Sequence, residues 1–157
     1  MCTGSWSSSA PPVCWMSKPV SPLEREILSG NPVVTMTSGD SMEPLLFDHD
    51  TRVVIRRAEG TLKKGDLPVY RRPSGQFVMH RVVRVGKDCY DTRGDNRYGT
   101  ERVPQEWILG VVTEIYRKER HFLVTDWRYR LYVALWGGLY PIRYLVHRGK
   151  AWIRKVR

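Results

Sequence analysis

The chain has 157 residues, 27% charged and 41% hydrophobic, enough for one soluble globular domain with a real core and too balanced for a disordered polymer. Its formal net charge of +10 favours an anionic partner, lipid headgroups or nucleic acid. Cys2, Cys14 and Cys89 make no disulfide framework and no metal-ligand spacing, so free thiols, no bound metal and no other cofactor are expected.

Residues 1–20 are rich in Ser, Pro and Gly without a period and read as a disordered leader. They lack the basic start and continuous apolar run of a signal peptide. No stretch of about 18 apolar residues is long enough to span a bilayer. A cytoplasmic protein, or one held peripherally at the cytoplasmic membrane, is the expectation.

The domain proper is expected over 21–125. Ser21-Pro22-Leu23-Glu24 has the form of a helix start: serine at the N-cap, proline in the first turn, glutamate closing a capping box. That helix should stop near Gly30, before Asn31-Pro32. The pattern then turns to β. Strands are predicted over 33–37, 52–57, 67–72, 76–85, 89–93, 108–116 and 122–125, separated by Gly, Pro and Asp turns. Short strands with little helix predict a mainly β fold, a sheet or partly open barrel.

After Asp126 the period changes. Arg128, Arg130, Arg143, Arg148, Lys150, Arg154, Lys155 and Arg157 follow with no acidic residue. Ile142, Leu145, Val146, Gly149, Trp152, Ile153 and Val156 recur at helical spacing, so 126–157 is expected to be a basic amphipathic helical extension. Residues 127–157 therefore suit an anionic membrane surface better than nucleic acid.

Chemistry concentrates at Ser38-Gly39-Asp40-Ser41-Met42-Glu43-Pro44. Pro44 restricts the residue before it, and Gly39 lets main chain approach closely. A hydroxyl on such a turn suits a nucleophile, with adjacent N–H groups to hold an oxyanion. Such a serine needs a base. Among His49, His80, His121 and His147, only His80 lies within a predicted strand, where alternation puts it on one face with Val78 and Val82. Burial would keep its imidazole neutral, the form a general base requires. Downstream, Gly94-Asp95-Asn96 forms a turn, and Glu101-Arg102 supplies another acid.

The serine box, the His80-Arg81-Val82 stretch, the GDN turn and the following apolar strand together resemble type I signal peptidases and the related LexA-like peptidases. The resemblance spans roughly 33–115 and is to the histidine-base, endoplasmic-reticulum-type subgroup. It implies a serine endopeptidase that cleaves a precursor protein, with Ser41 as nucleophile and His80 as base. Small side chains are expected beside the scissile bond. Either Glu101 or Asp95 would orient His80, and a glutamate at 101 departs from the usual aspartate. Gly39 stands where some members carry an oxyanion-hole serine, so the substrate-facing donors are expected among Gly39, Asp40, Ser41 and Met42. The alternative is a non-catalytic or regulatory β domain that binds nucleic acid or membrane through its basic end.

Overall fold

The computed structural model describes residues 20–145. The leader expected over 1–20 lies outside them save for Val20, as does the expected amphipathic face from Val146 onward. The chain divides between Val124 and Thr125 into two compact units.

The first unit opens with α1 (Pro22–Leu28), followed by β1 (Val33–Met36), β2 (Thr51–Arg57), β3 (Pro68–Arg71), β4 (Phe77–Met79) and β5 (Arg81–Val85). It continues with β6 (Cys89–Arg93), β7 (Glu101–Pro104), a 3₁₀ turn at Gln105–Trp107, β8 (Ile108–Arg117) and β9 (Arg120–Leu123). The fold is mainly β, as composition and alternation predict. One curled six-stranded sheet runs β1-β2-β8-β3-β4, with β9 also on β8. A three-stranded sheet, β5-β6-β7, completes the unit, and every pairing is antiparallel.

β8 is the hub. Its long edge pairs with β2 from Gly110 to Arg117, while the other edge serves β3 near Ile108–Val111 and β9 at Glu114–Arg117. At Gly110 there is no room for a side chain between β2 and α1. A Cβ there would lie 2.6 Å from the Arg56 carbonyl oxygen and 3.1 Å from Ile27 Cγ2, so only glycine lets α1 seat the fully buried Ile27. Burying side chains such as Ile27, Leu46, Ile55 and Leu67 contributes about 1.5–3 kcal/mol each.

Ser21 caps α1 by accepting the Glu24 N–H at 3.2 Å, as its position predicts. The return half of the expected capping box is replaced. Glu24 is buried and takes Arg71 of β3 at 2.9 Å, because a partly buried carboxylate gains more from a guanidinium than from a backbone donor. The helix ends where Gly30 takes φ +88° and the Asn31 N–H reaches the Glu26 carbonyl.

Two expectations about strands need correction. The single strand predicted over 76–85 is two, β4 and β5, in different sheets, and His80 is the junction between them. Alternation across that point therefore does not apply. The Val82 N–H turns to the Asp66 carbonyl, and the Val82 carbonyl accepts from Gly65. β7, to which the sequence reading assigns no strand, pairs with β6 so that Thr92 faces Glu101 and Tyr90 faces Val103.

The second unit carries α2 (Trp127–Gly138), capped by Asp126 accepting from the Arg128 N–H, and turns helical again over 140–145. α2 is not amphipathic. Arg128 and Arg130 stand about 200° apart around the helix, and Tyr129, Leu131, Val133, Leu135 and Trp136 fill the circumference between them. Among the described residues no helix is long and apolar enough to cross a membrane.

Candidate active site

Ser41 sits at the start of a single helical turn whose Leu46 N–H bonds the Met42 carbonyl. Two threonines staple the base of its loop. The Thr37 hydroxyl donates to the Phe47 carbonyl at 2.7 Å, and the Phe47 N–H donates to Thr51 Oγ1 at 3.1 Å. Gly39 needs the left-handed φ of +89° that glycine tolerates, and its N–H donates to Asp48 at 2.7 Å. The Glu43–Pro44 peptide is cis.

The GDN turn buttresses Ser41 from below. Gly94 packs so closely that a Cβ would lie 2.5 Å from the Ser41 carbonyl oxygen. The Asn96 N–H donates to that same oxygen at 2.9 Å, and the Asn96 side chain donates to the Asp40 carbonyl at 3.2 Å. Arg97 closes the contact with an ion pair to the Asp40 carboxylate, and this hydrogen bond holds the Asp40 pKa below its ordinary value.

His80 has a side chain only 13% exposed and lines the same cavity as Ser41, a cleft of about 480 Å³. Leu23, Met36, Phe77 and Met79 give much of its apolar wall, and Arg72 and Arg97 bring charge to it. Ser41 and His80 share this cleft without a hydrogen bond between them. Burial is the largest influence on His80 and lowers its pKa; Glu101 opposes that, while Arg72 and Arg97 add to it. The imidazole is therefore neutral at pH 7.

The two carboxylates proposed to orient His80 have different surroundings. Asp95 binds the Arg81 guanidinium through both oxygens, at 2.7 and 2.6 Å, in a buried pair, and Arg81 also donates to the Gly65 carbonyl. Glu101 Oε2 lies 3.8 Å from His80 Nδ1, beyond hydrogen-bond reach. Between them is a residue the sequence reading passes over. The Tyr70 hydroxyl donates to Glu101 Oε2 at 2.7 Å and lies 3.2 Å from His80 Nδ1. Arg72 grips Glu101 from the other side at 2.7 and 2.6 Å, and this bond chiefly holds the Glu101 pKa below its ordinary range. Strand alternation places Tyr70 and Arg72 on one face, the only sequence signal that pointed to them as a pair.

The residues expected to donate to an oxyanion also separate. The Gly39 N–H is committed to Asp48, while Asp40 offers its carbonyl to Asn96 and its carboxylate to Arg97 and to its own backbone N–H. The Ser41 and Met42 N–H groups donate to no acceptor among the described residues, so these two adjacent donors are the ones available to a developing negative charge. No group of three or more His, Cys, Asp or Glu side chains is placed to hold a metal ion among the described residues. No protein-family model matches the chain, and no curated protein matches it.

Proposed function

We propose that this chain is a serine endopeptidase of the signal-peptidase and LexA-like kind, cleaving a peptide bond in a precursor protein. The observation that carries the reading is a buried, neutral imidazole and a loop-borne serine on one cleft, each braced from behind by independent contacts. Ser41 Oγ attacks the substrate carbonyl carbon while His80 accepts its proton at Nε2. The Ser41 and Met42 N–H groups receive the oxyanion. His80 then passes the proton to the leaving amine, and water discharges the acyl-serine by the same route in reverse. Hydrogen bonds of this kind are often long before substrate arrives and tighten with it, which accommodates the open Ser41–His80 pairing. Small side chains beside the scissile bond are the expected preference.

An anionic membrane surface is the proposed partner of 127–157, since that segment carries eight Lys and Arg residues and no acid, most of the chain's net charge of +10. The deciding experiment is cleavage of precursor peptides by wild type, Ser41→Ala and His80→Ala. Loss of turnover in both variants supports the assignment. A fully active variant of either residue refutes the Ser41–His80 assignment, and a wild type that cleaves none of the peptides leaves a non-catalytic β domain that binds membrane or nucleic acid.

A further inference from the structure

We propose that Tyr70 is a positioning residue that carries the link between His80 and Glu101, setting which imidazole nitrogen holds the proton. This rests on the peptidase reading of the cleft. It makes the polar chain four side chains long behind Ser41: His80, Tyr70, Glu101 and Arg72.

The direction of each hydrogen bond follows from counting protons. Glu101 is ionised, because two guanidinium nitrogens of Arg72 donate to it, so it only accepts. Tyr70 has one hydroxyl proton, and the shorter contact, 2.7 Å, sends it to Glu101 Oε2. Burial, the largest influence on Tyr70, raises its pKa far above the ordinary phenol value, so that proton stays on oxygen. The phenol oxygen then faces His80 Nδ1 at 3.2 Å with lone pairs only. Nδ1 must therefore be the protonated nitrogen and Nε2 the base.

The groups around the imidazole agree. Tyr70 comes from β3, Glu101 from β7, Arg72 from just beyond β3, and Arg97 and Asp95 from the GDN turn. Thr92 Oγ1 of β6 lies 3.3 Å from the Tyr70 hydroxyl and 3.3 Å from the Glu101 carbonyl, a second partner that fixes the phenol rather than the ring. When Nε2 takes the Ser41 proton, the imidazolium meets the polarised phenol and, behind it, the carboxylate. Tyr70 keeps its proton throughout. Direct contact with Glu101 would raise the histidine pKa; inserting a phenol and neutralising the acid with Arg72 keeps His80 neutral and ready to accept.

The test is ¹⁵N NMR of the full chain labelled at histidine, with His80→Asn to assign the signal, alongside pH profiles of peptide cleavage. In wild type, His80 should be the Nδ1–H tautomer across neutral pH. Tyr70→Phe keeps the ring and removes the oxygen, so the Nε2–H form should gain population and kcat should fall by about 10²-fold or more, the scale of losing a correctly held base, with KM little changed. Glu101→Gln frees the Tyr70 proton to turn toward Nδ1, which should move the tautomer the same way. Wild type already holding its proton on Nε2, or both variants leaving tautomer and pH profile unchanged, would overturn the inference. A wild type that cleaves no peptide but shows these tautomer shifts sinks the peptidase reading and leaves the relay. Cleavage that depends on Ser41 and His80 but not on Tyr70 does the reverse.

Discussion

Gly94→Ala separates steric support of Ser41, the proposed nucleophile, from everything else the GDN turn does. The added Cβ would sit 2.5 Å from the Ser41 carbonyl oxygen, 3.0 Å from Arg97 Cγ and 3.3 Å from the Ser41 carbonyl carbon. Side-chain contacts below 3.0 Å essentially do not occur, and ordinary contact begins at 3.4 Å. The turn and the Ser41 loop must therefore part by between about 0.5 and 0.9 Å, against main-chain oxygen that has no rotamer to escape into. That oxygen is also the acceptor for the Asn96 N–H at 2.9 Å, so the same shift lengthens this bond. Overpacking of this size costs about 1–3 kcal/mol of stability. Misplacing a nucleophile by about 1 Å costs roughly 10²-fold in rate, so kcat/KM should drop about 10- to 100-fold. Gly99→Ala is the matched control: its Cβ would meet nothing within 4 Å, and stability should not fall. Urea denaturation and peptide cleavage on the two variants measure both quantities. A Gly94→Ala protein with wild-type midpoint and wild-type kcat/KM would refute the claim that this contact holds Ser41 in place.

Removing one partner of the buried Arg81–Asp95 pair should be costly, since it strands the other charge; Asp95→Asn should lose about 3–5 kcal/mol by denaturant unfolding. Replacing both with apolar residues should recover most of that, and a double variant no better than the single would contradict this account. Stability should fall as pH drops below 6.5, because the unfolded chain protonates His80 near that ordinary value while the folded chain does so only lower. Glu101 adds to the same trend at lower pH: its contribution is complete above the ordinary 4.5 and is lost as pH falls through its depressed folded value. The acid limb of kcat/KM should likewise lie below pH 6.5, and a limb above it would show the imidazole is not shielded as described. Full-length protein should co-sediment with vesicles rich in anionic lipid and be released by salt, with neutral vesicles as the comparison. Retention on neutral vesicles alone would remove the electrostatic basis for a membrane partner.

Much of the β architecture was legible because it depends on local rules. Val33–Met36, Thr51–Arg57 and Cys89–Arg93 carry β-branched or aromatic runs bounded by turn residues, and Ser21 capped α1 as its spacing predicts. The serine box and its glycine also pointed to a constrained loop without any knowledge of what lay across from it. Where the reading failed, the cause was long-range. Nothing in FVMHRVVRV marks the point at which the chain leaves one sheet for the other, since both halves satisfy the same alternation. Glu101–Pro104 is not predicted as a strand because its strand character comes from pairing with β6, not from its own residues.

Residue order alone therefore determined the elements and the chemistry available to them: a hydroxyl on a rigid turn, one imidazole among apolar neighbours, and acids downstream. Tertiary structure decided the partnerships. It handed Asp95 to Arg81 and Glu101 to Arg72, and it set a tyrosine from one sheet between a histidine at the junction and a glutamate in the other. Propensity and period act over a few neighbouring residues, whereas Tyr70 and Glu101 lie 31 positions apart and meet because residues of both sheets, Tyr70, Val78 and Val103, share one core cluster.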